Sequence, residues 1–214
     1  NLVGMGWIQL MPLNSVSGGG ISGYVNSSLY CNKEGRRFVA EDQRRDVLAA
    51  AVLSQTDKLF YIVCDQKEAE LRGMTSEILG YMVDNGLVYS GDTIAELAEN
   101  MGVPADALEE TVKEFNEAVK AGKPDEFGRT TWENPIETGP FYAPSFSPAV
   151  HHTMGGLEIN GNAEVMDSNG EVIPGFYAAG EVTGGIHGTN RVGGNAVPDA
   201  LCFGKIAGVN AAGN

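Results

Sequence analysis

The chain has 214 residues, 43% of them apolar, and fourteen Lys and Arg stand against twenty-eight Asp and Glu, a formal net charge of −14. That length can bury a substantial core in one large or two small domains, and the acidity argues against nucleic acid and anionic membrane surfaces as partners. No long uncharged apolar run reads as a membrane span or a signal peptide, so a soluble chain is expected, cytoplasmic or exported.

Taken in order, NLVGMGWIQLMPL is an apolar entry, read as a helix end and then a strand running to Pro12. SVSGGGISGY is a Gly/Ser-rich turn region that marks a domain boundary. SSLYCNKEGRRFVAED reads as a hairpin, two short strands around the Asn32-Lys33-Glu34-Gly35 turn. DQRRDVLAAAVLSQ is a helix with apolar positions at Val47, Leu48, Ala51 and Val52 and with Asp42 as its cap. It puts Arg44 and Arg45 in a first turn, where the helix dipole disfavours cations. Either that placement is functional, or these are solvated arginines paired with Glu41 or Asp46.

LFYIVCD reads as a buried strand, TSEILGYMVDNG as a helix opened by Thr75 or Ser76 and closed by Asn85-Gly86, and LVYSG as a short strand. DTIAELAENMG and PADALEETVKEFNEAVKAG are two helices, starting at Asp92 and at Pro104 then Asp106, and stopping at Gly102 and Gly122. Their Glu-rich faces read as solvated surface. KPDEFGRTTWENPIETGPFYAPSFSPAV is Pro-rich and aromatic and reads as an extended return to the first domain. Cys31, Cys64 and Cys202 are widely spaced and form no CxxC pair, so neither a metal site nor a disulfide framework is expected, only semi-buried thiols.

The stretch from His151 to Gly208 holds all three histidines and is rich in Gly and Asn. VIPGFYAAGEV reads as an apolar strand entered through a Pro-Gly turn and ending at Gly180-Glu181, where a carboxylate suits ligand hydroxyls. TGGIHGTNRVGGNA then precedes a helix-compatible run from Val197, with apolar residues at Leu201, Ile206 and Val209. A helix start preceded by GGNA presents free N–H groups to an anion or an electron-rich ring edge. The plain alternative is that the glycines only make tight turns and that Arg191 is a surface cation.

The words HHTMGG, PGFYAAGEVTGG and HGTNRVGGNA, in that order, resemble the C-terminal part of the fumarate reductase and succinate dehydrogenase flavoprotein superfamily. They are nearest to its soluble flavocytochrome c-type fumarate reductases and urocanate reductases. The resemblance implies an α+β fold in which a mobile cap, residues 13–148, is inserted into an FAD-binding α/β domain represented by residues 1–12 and 149–214. The N-terminal Rossmann half of that domain, with its GxGxxG turn, has no counterpart here, since GMGWIQ lacks the spacing. The chain therefore reads as the C-terminal part of a longer polypeptide or a product of proteolysis, inactive by itself. Its expected partners are the remaining FAD-binding half, an electron-donor domain or protein that could carry FMN or haem, and a small-molecule unsaturated carboxylate.

Carried over residue by residue, the resemblance implies that His151 and Arg191 bind a substrate carboxylate and that Gly194 touches substrate through its backbone. His152, Glu181, Ala196 and Val197 match positions that contact FAD, the last two through amides at the helix start. Arg45, in RRD, matches the arginine that serves the family as proton donor, a role that reference acidities would give to a histidine. The implied reaction is hydride transfer from flavin N5 to the β-carbon of an α,β-unsaturated carboxylate, with protonation of the α-carbon by Arg45. In fumarate reductases a His-Pro precedes the cap and its histidine holds a second carboxylate; here Met11-Pro12 stands in that place, and Tyr24 lies near where an arginine of the proton path is expected. An unpaired, desolvated carboxylate is costly, so a monocarboxylate such as urocanate or an aryl acrylate is expected in preference to fumarate. Two alternatives stay open: a flavin dehydrogenase for a steroid-like ketone, against which the cationic residues argue, and a non-catalytic fragment of cap and half-domain.

Overall fold

The computed structural model describes residues 1–21 and 29–213. The chain forms two compact units, a split unit of Asn1–Leu10 with Val150–Asn214 and an inserted unit of Met11–Ala149. In order come β1 (Leu2–Val3), β2 (Ile8–Ser15), β3 (Leu29–Cys31), α1 (Arg45–Leu53), β4 (Phe60–Asp65), α2 (Gln66–Leu71), α3 (Ser76–Asp84), β5 (Tyr89–Gly91), α4 (Ile94–Met101) and α5 (Ala105–Ala121). Then follow β6 (Phe141–Ala143), β7 (Ser145–Thr153), β8 (Gly156–Leu157), β9 (Glu164–Met166), β10 (Val172–Tyr177) and α6 (Ala196–Ala211), a mixed α/β fold.

The inserted unit is built on β4, whose six residues FYIVCD are all buried. Its sheet has the order β2-β7-β4-β6-β5, with β3 also paired to β4. Side chains alternate across a strand, and here the alternation divides the core. Phe60 and Ile62 join Leu48 and Val52 of α1, while Tyr61 and Val63 join Leu97 of α4 and Leu108 and Phe115 of α5. Cys64, two residues beyond Ile62, packs with Leu79 of α3.

Local chemistry sets the helix ends. The Thr75 hydroxyl accepts from Ile78 N–H and the Thr93 hydroxyl from Glu96 N–H. Gly102 and Gly122 close α4 and α5 in the left-handed conformation, with φ of 71° and 60°. Thr93, not Asp92, caps α4; the Asp92 amide instead donates to the Glu96 carboxylate.

Four other expectations are corrected. The first residues contain no helix end: β1 is followed by a turn closed by Trp7 N–H on Gly4 O, and β2 continues through Pro12 to Ser15. Because β2 is the outer strand of the sheet, a missing N–H is tolerated there. The Asn32 turn forms, with Asn32 Oδ1 accepting from Glu34 and Arg36 N–H, but only its first arm is a strand, and that strand pairs with β4. In the second arm Arg37 bonds to Glu41 and Asp125. Asp42 does not cap α1; its Oδ2 accepts from the amides and hydroxyls of Thr130 and Thr131, and Arg44 stands at the cap position without making a side-chain cap bond. Helix α2 was not anticipated, although Asp65 caps it through Glu68 N–H. On α1, Val47 is exposed and Ala49 takes the buried place. Tyr24 falls outside the described residues.

The segment between β3 and α1 is anchored by a buried ion cluster. Glu41 accepts from Arg37 Nε at 3.0 Å and Nη2 at 2.7 Å, from Arg129 Nη1 at 2.9 Å and from Tyr30 N–H at 3.0 Å. Arg37 Nη1 also reaches Asp125 at 2.7 Å. Both guanidinium groups lie over the rings of Phe115 and Trp132. Isolated buried charge is strongly unfavourable, and here each charge has a partner of opposite sign.

In the split unit β1 pairs with β8 and β9 with β10, both antiparallel, while α6 packs on a short 3-10 turn at Gly180–Val182. Glycines make this packing possible. A Cβ on Gly155 would stand 2.2 Å from Gly4 O, and one on Gly156 would stand 2.2 Å from Val182 O. These two glycines of the MGG word serve backbone contact within the unit, not approach to a ligand. Strand β10 also departs from expectation: Pro174 and Gly175 lie inside it at an irregularity in pairing, and Val172, Ile173 and Phe176 are exposed.

Candidate functional site

The site residues proposed from sequence lie in the split unit, apart from Arg45. Strand alternation at the end of β7 separates the two histidines: His151 is exposed, while His152 is 4% exposed. Glu181, on the 3-10 turn, accepts from the Thr153 amide at 2.8 Å and hydroxyl at 3.2 Å, and the amide bond is the main cause holding its carboxyl below the usual range. Its other oxygen lies 3.5 Å from His152 Nδ1. Burial pushes the His152 imidazole below its ordinary value, opposed by Glu181 and reinforced by Arg191, so the ring is neutral near pH 7.

Arg191 is no surface cation. It is 6% exposed, and Gln9 of β2, itself 3% exposed, holds both its ends. Gln9 Oε1 accepts from Arg191 Nη2 at 3.0 Å, and Gln9 Nε2 donates to Arg191 O at 2.7 Å and to Asn190 Oδ1 at 2.8 Å. Arg191 Nη1 donates to Val192 O at 3.2 Å. Gly194 has φ +89°, which a side chain would strain, and open space where a Cβ would stand.

The start of α6 is less open than expected. The Val197 amide already donates to Gly194 O at 3.3 Å, whereas that of Ala196 has no backbone acceptor among the described residues. Asn195 at the cap makes no side-chain cap bond. In the first turn Asp199 is buried and its Oδ2 lies 3.1 Å from His187 Nε2. The His187 ring meets that of His152 edge-on, centroids 5.4 Å apart.

Three buried polar atoms of this region have no partner among the described residues: His152 Nε2, Arg191 Nε and Asp199 Oδ1. Buried polar groups are nearly always bonded, so a donor, an acceptor and an imidazole nitrogen left open together suit a polar ligand with groups of both kinds. The donor set fits a cofactor with hydroxyl, imide and ring nitrogen atoms. Among the described residues no group of three or more His, Cys, Asp or Glu is arranged to hold a metal, and no helix is long and apolar enough to cross a membrane.

In the inserted unit the two arginines of RRD part company. Arg44 is exposed and bonded to Asp46 at 2.7 Å, the solvated pair that sequence alone allows. Arg45, the first residue of α1, is half-buried and has no hydrogen-bond or ion-pair partner among the described residues.

Three residues of this site escape sequence reasoning: Gln9, His187 and Asp199. Gln9 is the one polar side chain in the run WIQLM, and Asp199 the one carboxylate in the helical run from Val197 to Ile206. A polar residue alone in an apolar run was the available signal.

Comparison with known proteins accords with this geometry. Residues 3–197 match the family described as FAD binding domain. The chain is 43% identical to the NADH:acrylate oxidoreductase of Vibrio harveyi over 98% of its length, which is 21% of that protein. It is 39% identical to the urocanate reductase of Eggerthella lenta over 99% of its length and 36% of that protein. Among solved structures, the open conformation of a flavocytochrome c3 fumarate reductase matches 99% of the chain with a TM-score of 0.81 at 37% identity, and the match spans 37% of that chain. The chain thus covers well under half the length of each relative, but nearly all of it lies within the matched family: it belongs to the FAD binding domain family, with flavocytochrome fumarate reductase, urocanate reductase and NADH:acrylate oxidoreductase as homologues.

Proposed function

We propose that the chain is part of an FAD-dependent reductase of the C=C bond of α,β-unsaturated carboxylates. The observation that carries this reading is Arg191, a guanidinium buried and braced by Gln9 with its Nε–H unused. Such a group is preset to take a planar carboxylate, and its charge would favour the enolate character that develops as a hydride reaches the β-carbon. His151, exposed on β7, adds a second donor, and Gly194 admits the ligand to the backbone. When bound, FAD would supply the hydride from N5. His152 and the Ala196 amide would contact it, Val197 would line it, and the Glu181 carboxylate would accept from its hydroxyls. The ADP moiety would be held by other polypeptide of the longer parent protein.

Arg45, which has no partner among the described residues, is the proton donor to the α-carbon in this reading, and the inserted unit is the mobile cap. Met11 has a thioether where a second carboxylate would need a charge, which favours a monocarboxylate. The cationic residues disfavour a neutral ketone.

The deciding experiment is stopped-flow reoxidation of the reduced full-length flavoprotein by urocanate, acrylate and fumarate. Arg45→Ala should leave flavin reduction by an artificial donor intact and block reoxidation, because the carbanion character has no positioned acid to meet it. Arg44→Ala, the exposed neighbour, should behave as wild type. Equal loss in both variants would remove Arg45 from the role, and a preference for fumarate would remove the monocarboxylate assignment.

A further inference from the structure

The first turn of a helix welcomes negative charge, but that does not explain Asp199. Its side chain is only 4% exposed, and its Oδ1 is buried without a partner among the described residues. A carboxylate oxygen accepts, so the contact with Oδ2 calls for the His187 tautomer that carries its proton on Nε2. The contact joins the two ends of the segment that carries Arg191 and Gly194. Between His187 and Ala196 the chain has no helix or strand, and it passes through Gly188 and Gly194 at φ of 62° and 89°. Its internal backbone bonds are long: Asn195 N–H to Val192 O and Val197 N–H to Gly194 O are both 3.3 Å. Gln9 ties the middle of the segment, at Asn190 and Arg191. The ends are tied by His187 and Asp199, and the same His187 ring braces His152.

We infer that His187 and Asp199 are positioning residues: their contact clasps the segment from 187 to 199 and presets Arg191, Gly194 and the His152 ring for an unsaturated carboxylate. The inference rests on the reading of Arg191 as the carboxylate clamp. A Gly-rich loop left open samples many backbone states and must be ordered when ligand binds, so a clasp made beforehand strengthens binding without touching the ligand.

The test uses D199A, D199N and H187Q in the flavin-loaded, full-length protein, with acrylate as probe. Asn keeps an oxygen to accept from His187, and Gln keeps an N–H to reach Asp199. In D199A the KM for acrylate should rise at least about tenfold while kcat stays within about twofold, and amide exchange of residues 188–195 should quicken by about tenfold. D199N and H187Q should restore both quantities to within about threefold of wild type. Unchanged exchange in D199A overturns the clasp, as does a D199N variant as impaired as D199A, which would mean that charge and not contact matters. Faster exchange with unchanged KM supports the clasp and overturns the carboxylate role of Arg191, so the two failures are told apart.

Discussion

The inserted and split units spend their residues differently. Among the described residues the inserted unit holds the three clusters of buried apolar side chains, and it ties its buried cluster of Arg37, Glu41 and Arg129 into ion pairs. The split unit is the smaller, yet fourteen of the twenty-one exposed large apolar residues among those described belong to it, and its buried His152, Arg191 and Asp199 each leave a polar atom open. Buried charge thus has two meanings in one chain. Around Glu41 partners of opposite sign are present and the charge serves architecture. In the split unit, on the proposed reading, the open atoms receive a ligand, although Asp42 Oδ1 and Arg72 Nη1 show that the inserted unit also leaves buried polar atoms open.

The sharpest test of the architectural half is Glu41→Ala. It would leave Arg37 and Arg129 without their shared carboxylate, and breaking a buried pair in this way costs about 3–5 kcal/mol. Urea denaturation should show that loss, and a change below about 1 kcal/mol would mean that the cluster is idle. Thiol chemistry comes next. Burial pushes Cys31 and Cys64 up to about 12, whereas Cys202 of the split unit is exposed. Against an ordinary thiol, a shift of that size lowers the thiolate fraction by roughly a thousandfold. Mass spectrometry after brief alkylation at pH 8 should find Cys202 modified and the other two untouched; early labelling at Cys31 or Cys64 would break the contrast.

Arg191→Lys probes the ligand half. A lysine cannot make a two-pronged carboxylate contact, so kcat/KM in the full-length protein should fall at least about a hundredfold, roughly 2.7 kcal/mol, with little change in melting temperature. A near-normal ratio would take Arg191 out of the clamp. The smallest effects compare two helix starts. Thr93→Ala removes a working cap from α4 and should cost about 1 kcal/mol, while Asn195→Ala, whose side chain caps nothing, should cost under about 0.5 kcal/mol. Equal losses in thermal unfolding would mean that the start of α6 is as self-sufficient as that of α4.

What could be read from the sequence follows the range of the forces. Helices α3, α4 and α5 were legible because their stops and caps act within a few residues: Thr75, Asn85, Gly102 and Gly122 do what their types suggest. Strand β4 was legible because five apolar residues in a row, Phe60 to Cys64, leave it nowhere but inside. Asp42 misled because its acceptor oxygen is claimed by Thr130 and Thr131, far along the chain. The second arm of the Asn32 turn failed for the same reason, with Arg37 bonded to Asp125. At the candidate site, the order of the words pointed to Arg191, His152 and Glu181 as ligand contacts. Nothing local could disclose Gln9, whose partners are Asn190 and Arg191, or tell Arg45 from Arg44, since exposure is a tertiary property.

The chain leaves for the inserted unit along β2 and returns along β7, and these strands are neighbours in one sheet, with Val16 N–H on Ser145 O at 3.0 Å. An excursion whose two ends are stitched side by side is, to its host, little more than a hairpin. The entropy of closing a loop grows only logarithmically, about 0.6 kcal/mol for each doubling in length. A shorter, longer or foreign module could therefore be grafted between the same two strands with little penalty from the connection itself, so the host and its insert are free to diversify at different rates.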